Sequence, residues 1–250
     1  MAKLENKVAL VTGSSRGIGR AIALRFASLG AKVVVNYSSS LEAAKGVVEE
    51  AKQMGVQAVA LKADVSSLKD IKALFQNAIK EFGKLDIVVA NAGIEIVDLP
   101  ALEITEELFD RAFSINTKGA FFTIQEAAKV LQDNGRIIYV SSSTTVNAME
   151  GKALYGGSKL APHYMAQVIA KEVGIRGITV NTIIPTVVEG AGVNTTIGDR
   201  LDYLQPFIDK NPMRRLAKVD DIANVAEFLA SDLSSYMTGE ALKVTGGALQ

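Results

Sequence analysis

Tyr155 and Lys159 are the residues of this sequence best suited to acid–base chemistry. They stand four positions apart in a segment with helical spacing, so their side chains share one face of the helix. A free tyrosine has a pKa of about 10, and a neighbouring ammonium favours the phenolate and lowers that pKa. Such a phenol can give a proton to a carbonyl oxygen or take one from an alcohol. Taken alone, the pair is equally compatible with two neighbouring surface side chains.

A run of serines, Ser141-Ser142-Ser143, follows a β-branched stretch thirteen residues before the tyrosine. Ligands of open parallel sheets bind outside the carboxyl ends of the strands, where this run is predicted to lie. A serine hydroxyl there can polarise a substrate carbonyl. The alternative is that the serines only form a loop.

A glycine-rich turn, Thr12-Gly13-Ser14-Ser15-Arg16-Gly17-Ile18-Gly19, joins the first predicted strand to the first predicted helix. Glycines let the backbone turn tightly and approach a pyrophosphate, and the start of the helix offers free N–H groups. The spacing is T-G-x-x-x-G-x-G rather than G-x-G-x-x-G, and a plain strand–helix connection is the alternative. The strand–turn–helix context favours nucleotide binding.

The end of the second predicted strand indicates which dinucleotide would bind. NAD-binding units place an acidic residue about 20 residues after the glycines, to hold the ribose hydroxyls. Here that stretch is Asn36-Tyr37-Ser38, and the first acid after it is Glu42. Because Arg16 within the turn can pair with a 2′-phosphate, NADP is favoured over NAD. The alternative is an NAD or dual-specificity site that uses the Tyr37 and Ser38 hydroxyls.

Strands and helices alternate along the whole chain. Strands are predicted at 7–12, 32–37, 57–62, 85–90, 136–141, 178–184 and 241–244, and helices at 17–29, 41–54, 68–82, 106–131, 153–173 and 222–230. This pattern predicts an α/β fold: a Rossmann-like, doubly wound parallel sheet of about seven strands with helices on both faces, in one domain over 1–250. The irregular, glycine-bearing stretch at about 186–212 predicts a substrate lid. Its valines favour a neutral, hydrophobic ketone or alcohol.

Composition narrows the chemistry further. The 250 residues include 27 basic and 27 acidic side chains, so net charge gives no reason to expect nucleic acid or an acidic membrane as partner. The sequence has no cysteine and one histidine, His163, which we interpret as a packed or interfacial side chain. Disulfides, thiolate chemistry and a His-rich metal site are therefore excluded, and no metal site is predicted. No apolar run is long enough to span a bilayer, and no signal peptide is recognisable, so a cytoplasmic protein is expected.

Together these motifs resemble the short-chain dehydrogenase/reductase family over essentially the whole chain. Asp64-Val65 resembles that family's adenine contact, Asn91-Ala92-Gly93 its element after strand four, and Asn181–Pro185 its segment beside the nicotinamide. The cofactor-binding positions implied by the resemblance and by the turn are Gly13, Ser15, Arg16, Gly17, Ile18, Gly19, Asn36, Tyr37, Ser38, Asp64, Val65, Asn91, Ala92, Gly93, Tyr155, Lys159, Pro185 and Val188.

The resemblance also implies a catalytic tetrad of Asn116, Ser142, Tyr155 and Lys159. Tyr155 is then the general acid/base, Ser142 holds the carbonyl oxygen, and Lys159 lowers the tyrosine pKa and binds the nicotinamide ribose. Asn116 is implied to anchor a water-linked proton path to Lys159. A homotetramer, or a homodimer, is expected through the helices around 105–134 and 152–174.

Several positions depart from the family pattern. Thr186 stands where a glycine is usual, Gly190 where a threonine is usual, and Ala90 where an asparagine is frequent. The segment Val244-Thr245-Gly246-Gly247 lacks a usual aspartate. Pro162 lies inside the predicted catalytic helix, where a proline removes one backbone hydrogen bond.

Three functions stay open from the sequence. The first is NADPH-dependent reduction of a carbonyl, with a small-molecule ketone and alcohol as substrate and product. The second is NAD-linked oxidation of a sugar, polyol or steroid alcohol. The third is a catalytically silent, dinucleotide-sensing protein, which is disfavoured because all four tetrad residues are present. Arg214 and Arg215 admit an acidic carrier protein as a further partner, although the pair is also compatible with simple exposure.

Overall fold

The computed structural model describes residues 3–192 and 201–248, in which seven strands alternate with helices. The strands are β1 (Val8–Val11), β2 (Lys32–Tyr37), β3 (Ala58–Lys62), β4 (Ile87–Ala90), β5 (Arg136–Val140), β6 (Thr179–Pro185) and β7 (Ala241–Val244). The helices are α1 (Gly17–Ser28), α2 (Leu41–Gln53), α3 (Leu68–Phe82), α4 (Glu106–Ala112), α5 (Ala120–Val130), α6 (Ala153–Val173), α7 (Leu201–Lys210) and α8 (Val219–Ala230). None of the described helices is long and apolar enough to cross a lipid bilayer.

The strands form one parallel sheet in the order β3-β2-β1-β4-β5-β6-β7. The chain starts in the middle of the sheet, builds outward on one side through β2 and β3, and then returns to the other side at β4. Leu10 of β1 therefore lies between Val34 of β2 and Val88 of β4. Such a reversal opens a crevice at the carboxyl ends of the two central strands. The predicted seven-stranded Rossmann-like sheet is confirmed.

Helices cover both faces of the sheet because the strands are apolar on both faces. Val33 and Val35 of β2 face a core shared with α1, α2 and α8, whereas Val34 faces a second core built from α3, α5 and α6. The largest fully buried side chains include Phe26 in the first core and Tyr139 in the second. Because helices cover both faces of the sheet, a binding site is expected at the ends of the strands.

The long helix predicted at 106–131 is interrupted. A π-helical segment, Phe113–Gly119, separates α4 from α5 and carries Asn116. π-Helical turns widen a helix locally and occur frequently at functional sites. Apolar periodicity did not reveal this change, because one widened turn barely alters the spacing of the apolar residues.

The expectation that the stretch at about 186–212 is irregular is wrong over α7. Leu204 is buried in this helix, although the neighbouring glycines and Pro206 masked its periodicity in the sequence. The predicted lid at 186–212 thus includes an ordered helix. Val193 and Gly198 lie outside the described residues.

The helix α6 continues through Pro162 because a side chain replaces the backbone donor that proline lacks. A proline at 162 deprives the carbonyl of Ser158 of its usual partner four residues on. Thr117 supplies that hydrogen bond, since its hydroxyl donates to the Ser158 carbonyl at 2.8 Å. Because Pro162 leaves this carbonyl free for Thr117, a side-chain hydrogen bond joins α6 to the π-helical segment.

Candidate active site

The glycine turn after β1 packs directly on the turn after β4. Gly13 has a φ of 61°, and a Cβ added there would lie 2.9 Å from the Cα of Ala92. A Cβ on Gly19 would lie 2.5 Å from both the Asn91 amide nitrogen and the Gly13 carbonyl oxygen. Only glycine fits at both positions without displacing backbone. The two turns together form a narrow cradle at the switch point of the sheet.

Buried polar side chains hold this cradle in shape. The Thr12 hydroxyl accepts hydrogen bonds from the N–H groups of Asn91 at 3.0 Å and Ala92 at 3.1 Å. The Asn91 amide donates to the Thr12 carbonyl at 2.9 Å. The Asn36 amide oxygen accepts from the Gly13 N–H at 3.0 Å, and its nitrogen donates to the carbonyl of Ala63 at 3.2 Å. Asn36 and Asn91 therefore support the turn, and direct contact with a cofactor stays a prediction for them.

The open end of the cradle carries the other predicted cofactor residues. Arg16 and Ser38 are exposed, and Tyr37 is half-buried at the end of β2. Helix α1 has no acidic residue in its first turn, so nothing in its own sequence competes for the N-terminal N–H groups. Ser15, Gly17 and Ile18 form the rest of this rim and are partly exposed.

The predicted adenine contact lies after β3. Asp64 is exposed, and its carboxylate accepts hydrogen bonds from the N–H and hydroxyl of Ser66. Val65 is buried, and its carbonyl would lie 2.8 Å from a Cβ added to Gly119. This turn is thereby fixed against the end of the π-helical segment.

The segment after β6 closes over the cradle. Pro185 is the last residue of β6 and is buried. Val188 is also buried and pairs with Ala217. A Cβ added to Gly17 would lie 3.4 Å from the Ala191 Cβ, so this segment reaches the glycine turn. The first part of the predicted lid therefore lies beside the predicted cofactor site.

Three elements bring the four residues of the predicted tetrad together as buried side chains. Ser142 follows β5, Tyr155 and Lys159 lie in the first turns of α6, and Asn116 lies in the π-helical segment. The Lys159 ammonium donates to the carbonyl of Val140 at 3.0 Å, which fixes it against the end of β5. The Ser142 hydroxyl accepts from the Thr144 N–H at 3.3 Å and caps a short turn.

Asn116 uses its amide to hold the chain after β4. Its oxygen accepts from the Ile94 N–H at 2.8 Å, and its nitrogen donates to the Ile94 carbonyl at 2.8 Å and to the Ser158 hydroxyl at 3.0 Å. A Cβ added to Gly93 would lie 3.0 Å from both the Asn116 oxygen and the Lys159 ammonium. Asn116 and Lys159 therefore both approach Gly93 on the side where a Cβ would point.

Comparison with known proteins agrees with this geometry. A family model described as enoyl-(acyl carrier protein) reductase matches residues 13–248. The chain is 43% identical over 261 aligned residues to a short-chain dehydrogenase/reductase of Pestalotiopsis microspora, covering 98% of this chain and 96% of that protein. The chain belongs to the short-chain dehydrogenase/reductase family. It is an oxidoreductase of that family, as the resemblance implied.

Two further proteins show which members of the family are similar. A hydroxynaphthalene reductase-like protein of Metarhizium brunneum is 40% identical over 262 aligned residues, covering 98% of this chain and 96% of that one. The crystal structure of the landomycin C-6 ketoreductase LanV, with bound NADP and rabelomycin, superposes with a TM-score of 0.89. It is 36% identical and covers 99% of this chain and 98% of its own.

Burial sets the protonation of the two residues at the centre of this oxidoreductase site. It raises the pKa of the Tyr155 phenol well above its usual value, and the Glu95 charge raises it further, whereas a hydrogen bond with Ser142 lowers it. Burial therefore decides the net direction for the phenol, and a lowering of its pKa by Lys159 stays a prediction. Burial also lowers the pKa of the Lys159 ammonium to about 8, against a smaller raising effect of Glu95.

Glu95 is a residue of the site that sequence reasoning missed. Its carboxylate affects the pKa of Tyr155 both through its charge and through a hydrogen bond with the phenol. The available signal was one acidic residue inside the apolar stretch that surrounds Asn91-Ala92-Gly93. That signal is weak, because only the fold shows that the stretch turns toward α6.

Proposed function

We propose that this protein is an NADPH-dependent carbonyl reductase that converts a ketone to a secondary alcohol reversibly, with Tyr155 as general acid/base. The observation that carries the proposal is the buried Tyr155 phenol, which lies beside Ser142 after β5 and one helical turn from the buried Lys159 ammonium. A phenol with a raised pKa keeps its proton at neutral pH, and the protonated form is the one that can protonate a carbonyl.

The residues of the site take complementary roles in this reaction. The Ser142 hydroxyl holds the carbonyl oxygen and polarises it. Tyr155 donates its proton to that oxygen as the alkoxide forms, and the Lys159 ammonium offsets the negative charge left on the phenol. Asn116, which meets Lys159 at Gly93, supports a water-linked path that returns the proton. When bound, NADPH supplies the hydride to the carbonyl carbon.

The cradle fits a dinucleotide, and its rim favours NADP. Gly13 allows the two turns to pack closely, and the first N–H groups of α1 have no side-chain cap, so they are available to a pyrophosphate. The exposed Arg16 guanidinium can pair with a 2′-phosphate, and the stretch between Asn36 and Leu41 carries no acid to repel it. The related ketoreductase LanV binds NADP, which supports this choice.

We place the substrate among neutral, hydrophobic cyclic ketones. Two valines, Val187 and Val188, begin the predicted lid after β6 and make this part of it apolar. One relative is named a hydroxynaphthalene reductase-like protein, and LanV is a landomycin C-6 ketoreductase whose structure contains rabelomycin, which supports this choice. The sequence of the predicted lid carries no cluster of basic residues that would favour an acidic substrate.

The proposal is tested by following NADPH absorbance with a panel of cyclic and aryl ketones, and by repeating the assay with NADH. We expect turnover with NADPH and a higher kcat/KM than with NADH. Oxidation of a sugar, polyol or steroid alcohol with NAD and no ketone reduction would establish the second function instead. Tight NADP binding without turnover of any ketone or alcohol would favour a dinucleotide-sensing protein.

The pH dependence of reduction is expected to follow Lys159. As the pH rises through about 8, the ammonium loses its proton and can no longer offset the charge left on Tyr155, so kcat should fall. The pKa of Lys159 in the folded protein lies below the usual lysine pKa of 10.5, so the unfolded chain binds more protons between these pH values. This group therefore makes the free energy of unfolding rise with pH over that window.

Steady-state kinetics with saturating NADPH, combined with urea unfolding at each pH, check this prediction. A fall in kcat above pH 8 without loss of stability is expected. A Lys159→Arg variant keeps its charge to higher pH and should lose the fall in whatever activity it retains. A profile that stays flat through pH 9 to 10 in the unmodified protein would contradict the assignment.

We also propose that α5 and α6 form an interface with a second copy of the chain, as the family resemblance implies. Tyr164 and Val168 of α6 are exposed to 68% and 39%, and they border a groove that Phe121 of α5 also lines. Exposed apolar surface at helical spacing is typical of an interface.

A Val168→Asp variant should dissociate the oligomer, measured by light scattering after gel filtration, whereas Met54→Asp on the opposite face should not.

A further inference from the structure

Tyr139 is a fully buried aromatic residue among the aliphatic residues of β5. Side chains alternate along the strand, so Ile137 and Tyr139 face the core that α6 covers, whereas Ile138 and Val140 face the other core. The alternation of β5 therefore places an aromatic side chain beneath the catalytic helix.

Tyr139 contacts Lys159 at both its side chain and its backbone. The Lys159 ammonium lies over the Tyr139 ring, 5.4 Å from the ring centroid, which is within the range of cation–π attraction. The Tyr139 hydroxyl donates a hydrogen bond to the Lys159 backbone carbonyl at 3.1 Å. Because both residues are buried, water does not screen these contacts. One side chain thus fixes the two ends of the lysine.

The ring favours the charged form of Lys159, which burial disfavours. Burial lowers the pKa of this ammonium to about 8, and a neutral amine cannot offset the charge left on Tyr155. The Val140 carbonyl accepts a hydrogen bond from the ammonium at 3.0 Å. The negative face of the Tyr139 ring adds a second attraction, which is strong for an ammonium and weak for a neutral amine.

Other groups also act on the ammonium, and they can be told apart from the ring. Glu95, after β4, acts on it through its charge, the π-helical segment contributes the uncharged Asn116 amide beside Gly93, and Tyr155 is the titratable group of the same helix. Burial raises the pKa of the Tyr139 phenol well above its usual value, so this phenol keeps its proton while Lys159 titrates. Tyr139 therefore acts on the lysine as a neutral ring and a hydrogen-bond donor.

We propose that Tyr139 is a positioning residue for ketone reduction, whose ring keeps the Lys159 side chain charged and whose hydroxyl holds the turn of α6 that carries this lysine. The inference rests on the proposed carbonyl reduction, because Lys159 serves that reaction as an ammonium. Tyr139 acts through Lys159 and not on the substrate itself.

Two substitutions separate the ring from the hydroxyl in the pH profile of kcat. Tyr139→Phe keeps the ring, so the fall in kcat should stay near pH 8, and loss of one hydrogen bond should lower kcat about fivefold or less. Tyr139→Leu removes the ring, and the midpoint of the fall should move down by about one pH unit. Phe26→Leu removes a fully buried ring from the core on the other face of the sheet, and its midpoint should not move.

The charge of Lys159 is also measured directly, by ¹³C NMR of the protein labelled at the ε-carbon of lysine. The signal that is missing in Lys159→Arg belongs to Lys159, and its titration midpoint should follow the same order among the variants. If no ketone is turned over, the proposed function fails, while these midpoints still decide the role of Tyr139. Equal midpoints in Tyr139→Leu and the unmodified protein would overturn the inference.

A trifluorinated phenylalanine incorporated at position 139 serves where the leucine variant does not fold. Fluorine withdraws electrons from the face of the ring with little change in its shape, so only the cation–π attraction is weakened. The Lys159 midpoint should then lie below that of Tyr139→Phe. Equal midpoints in these two proteins would also overturn the inference.

Discussion

Replacing Tyr155 with phenylalanine is expected to lower kcat for ketone reduction by about 10²- to 10⁴-fold, the usual contribution of a positioned general acid. The ring fills the same buried space in both side chains, so the change removes only the hydroxyl that meets Ser142 and Glu95. The cradle around Gly13 is not touched. NADPH should therefore lose at most the contact of one hydroxyl, and its dissociation constant, measured by fluorescence titration, should rise by about tenfold or less, while single-turnover hydride transfer slows.

A Tyr236→Phe variant provides the matched control, because the same hydroxyl is removed from a fully exposed ring. Thermal unfolding separates a chemical defect from a structural one. Loss of one buried hydrogen-bonding group changes stability by about 1 kcal/mol, far too little to unfold the protein at assay temperature. Ketone reduction by Tyr155→Phe at the rate of the unmodified protein would exclude Tyr155 as the proton donor.

The individual strands and the spacing of Tyr155 and Lys159 on α6 were predictable because both depend on local sequence. The β-branched run of β2 and the four-residue interval from Tyr155 to Lys159 specify a strand and a shared helix face without help from the rest of the chain. The glycine turn was predictable for the same reason, since the requirement for Gly13 and Gly19 is a matter of backbone geometry.

The features that sequence could not predict depend on distant contacts. Glu95 enters the site because Asn116, 22 residues beyond Ile94, clamps the chain before it. The continuity of α6 through Pro162 depends on a hydroxyl of Thr117 from another helical segment. The pKa of Tyr155 follows the burial of its ring. In each case, contacts between residues that are distant in the sequence determine the feature.

Replacing Tyr37 with aspartate is expected to move cofactor preference from NADPH toward NADH by about a hundredfold or more in kcat/KM, since like charges in contact cost several kcal/mol. Tyr37 ends β2 at the rim of the cradle, close in sequence to Ser38 and on the side where the ribose hydroxyls of a dinucleotide are predicted. A carboxylate there repels a 2′-phosphate and accepts hydrogen bonds from a free 2′-hydroxyl. Asn36, beside it, should keep the turn intact through its bond to the Gly13 N–H.

A Tyr37→Asn variant separates the charge from the loss of the ring, because asparagine has nearly the same shape as aspartate without its charge. If the charge decides, Tyr37→Asn should weaken both cofactors to a similar extent, and only Tyr37→Asp should reverse the order of their kcat/KM values. In the Tyr37→Asp protein, the added substitution Arg16→Ala should then weaken NADPH binding only slightly more. The carboxylate already keeps the 2′-phosphate from pairing with the Arg16 guanidinium. Equal effects of the two Tyr37 variants would mean that the 2′-phosphate does not lie at the end of β2.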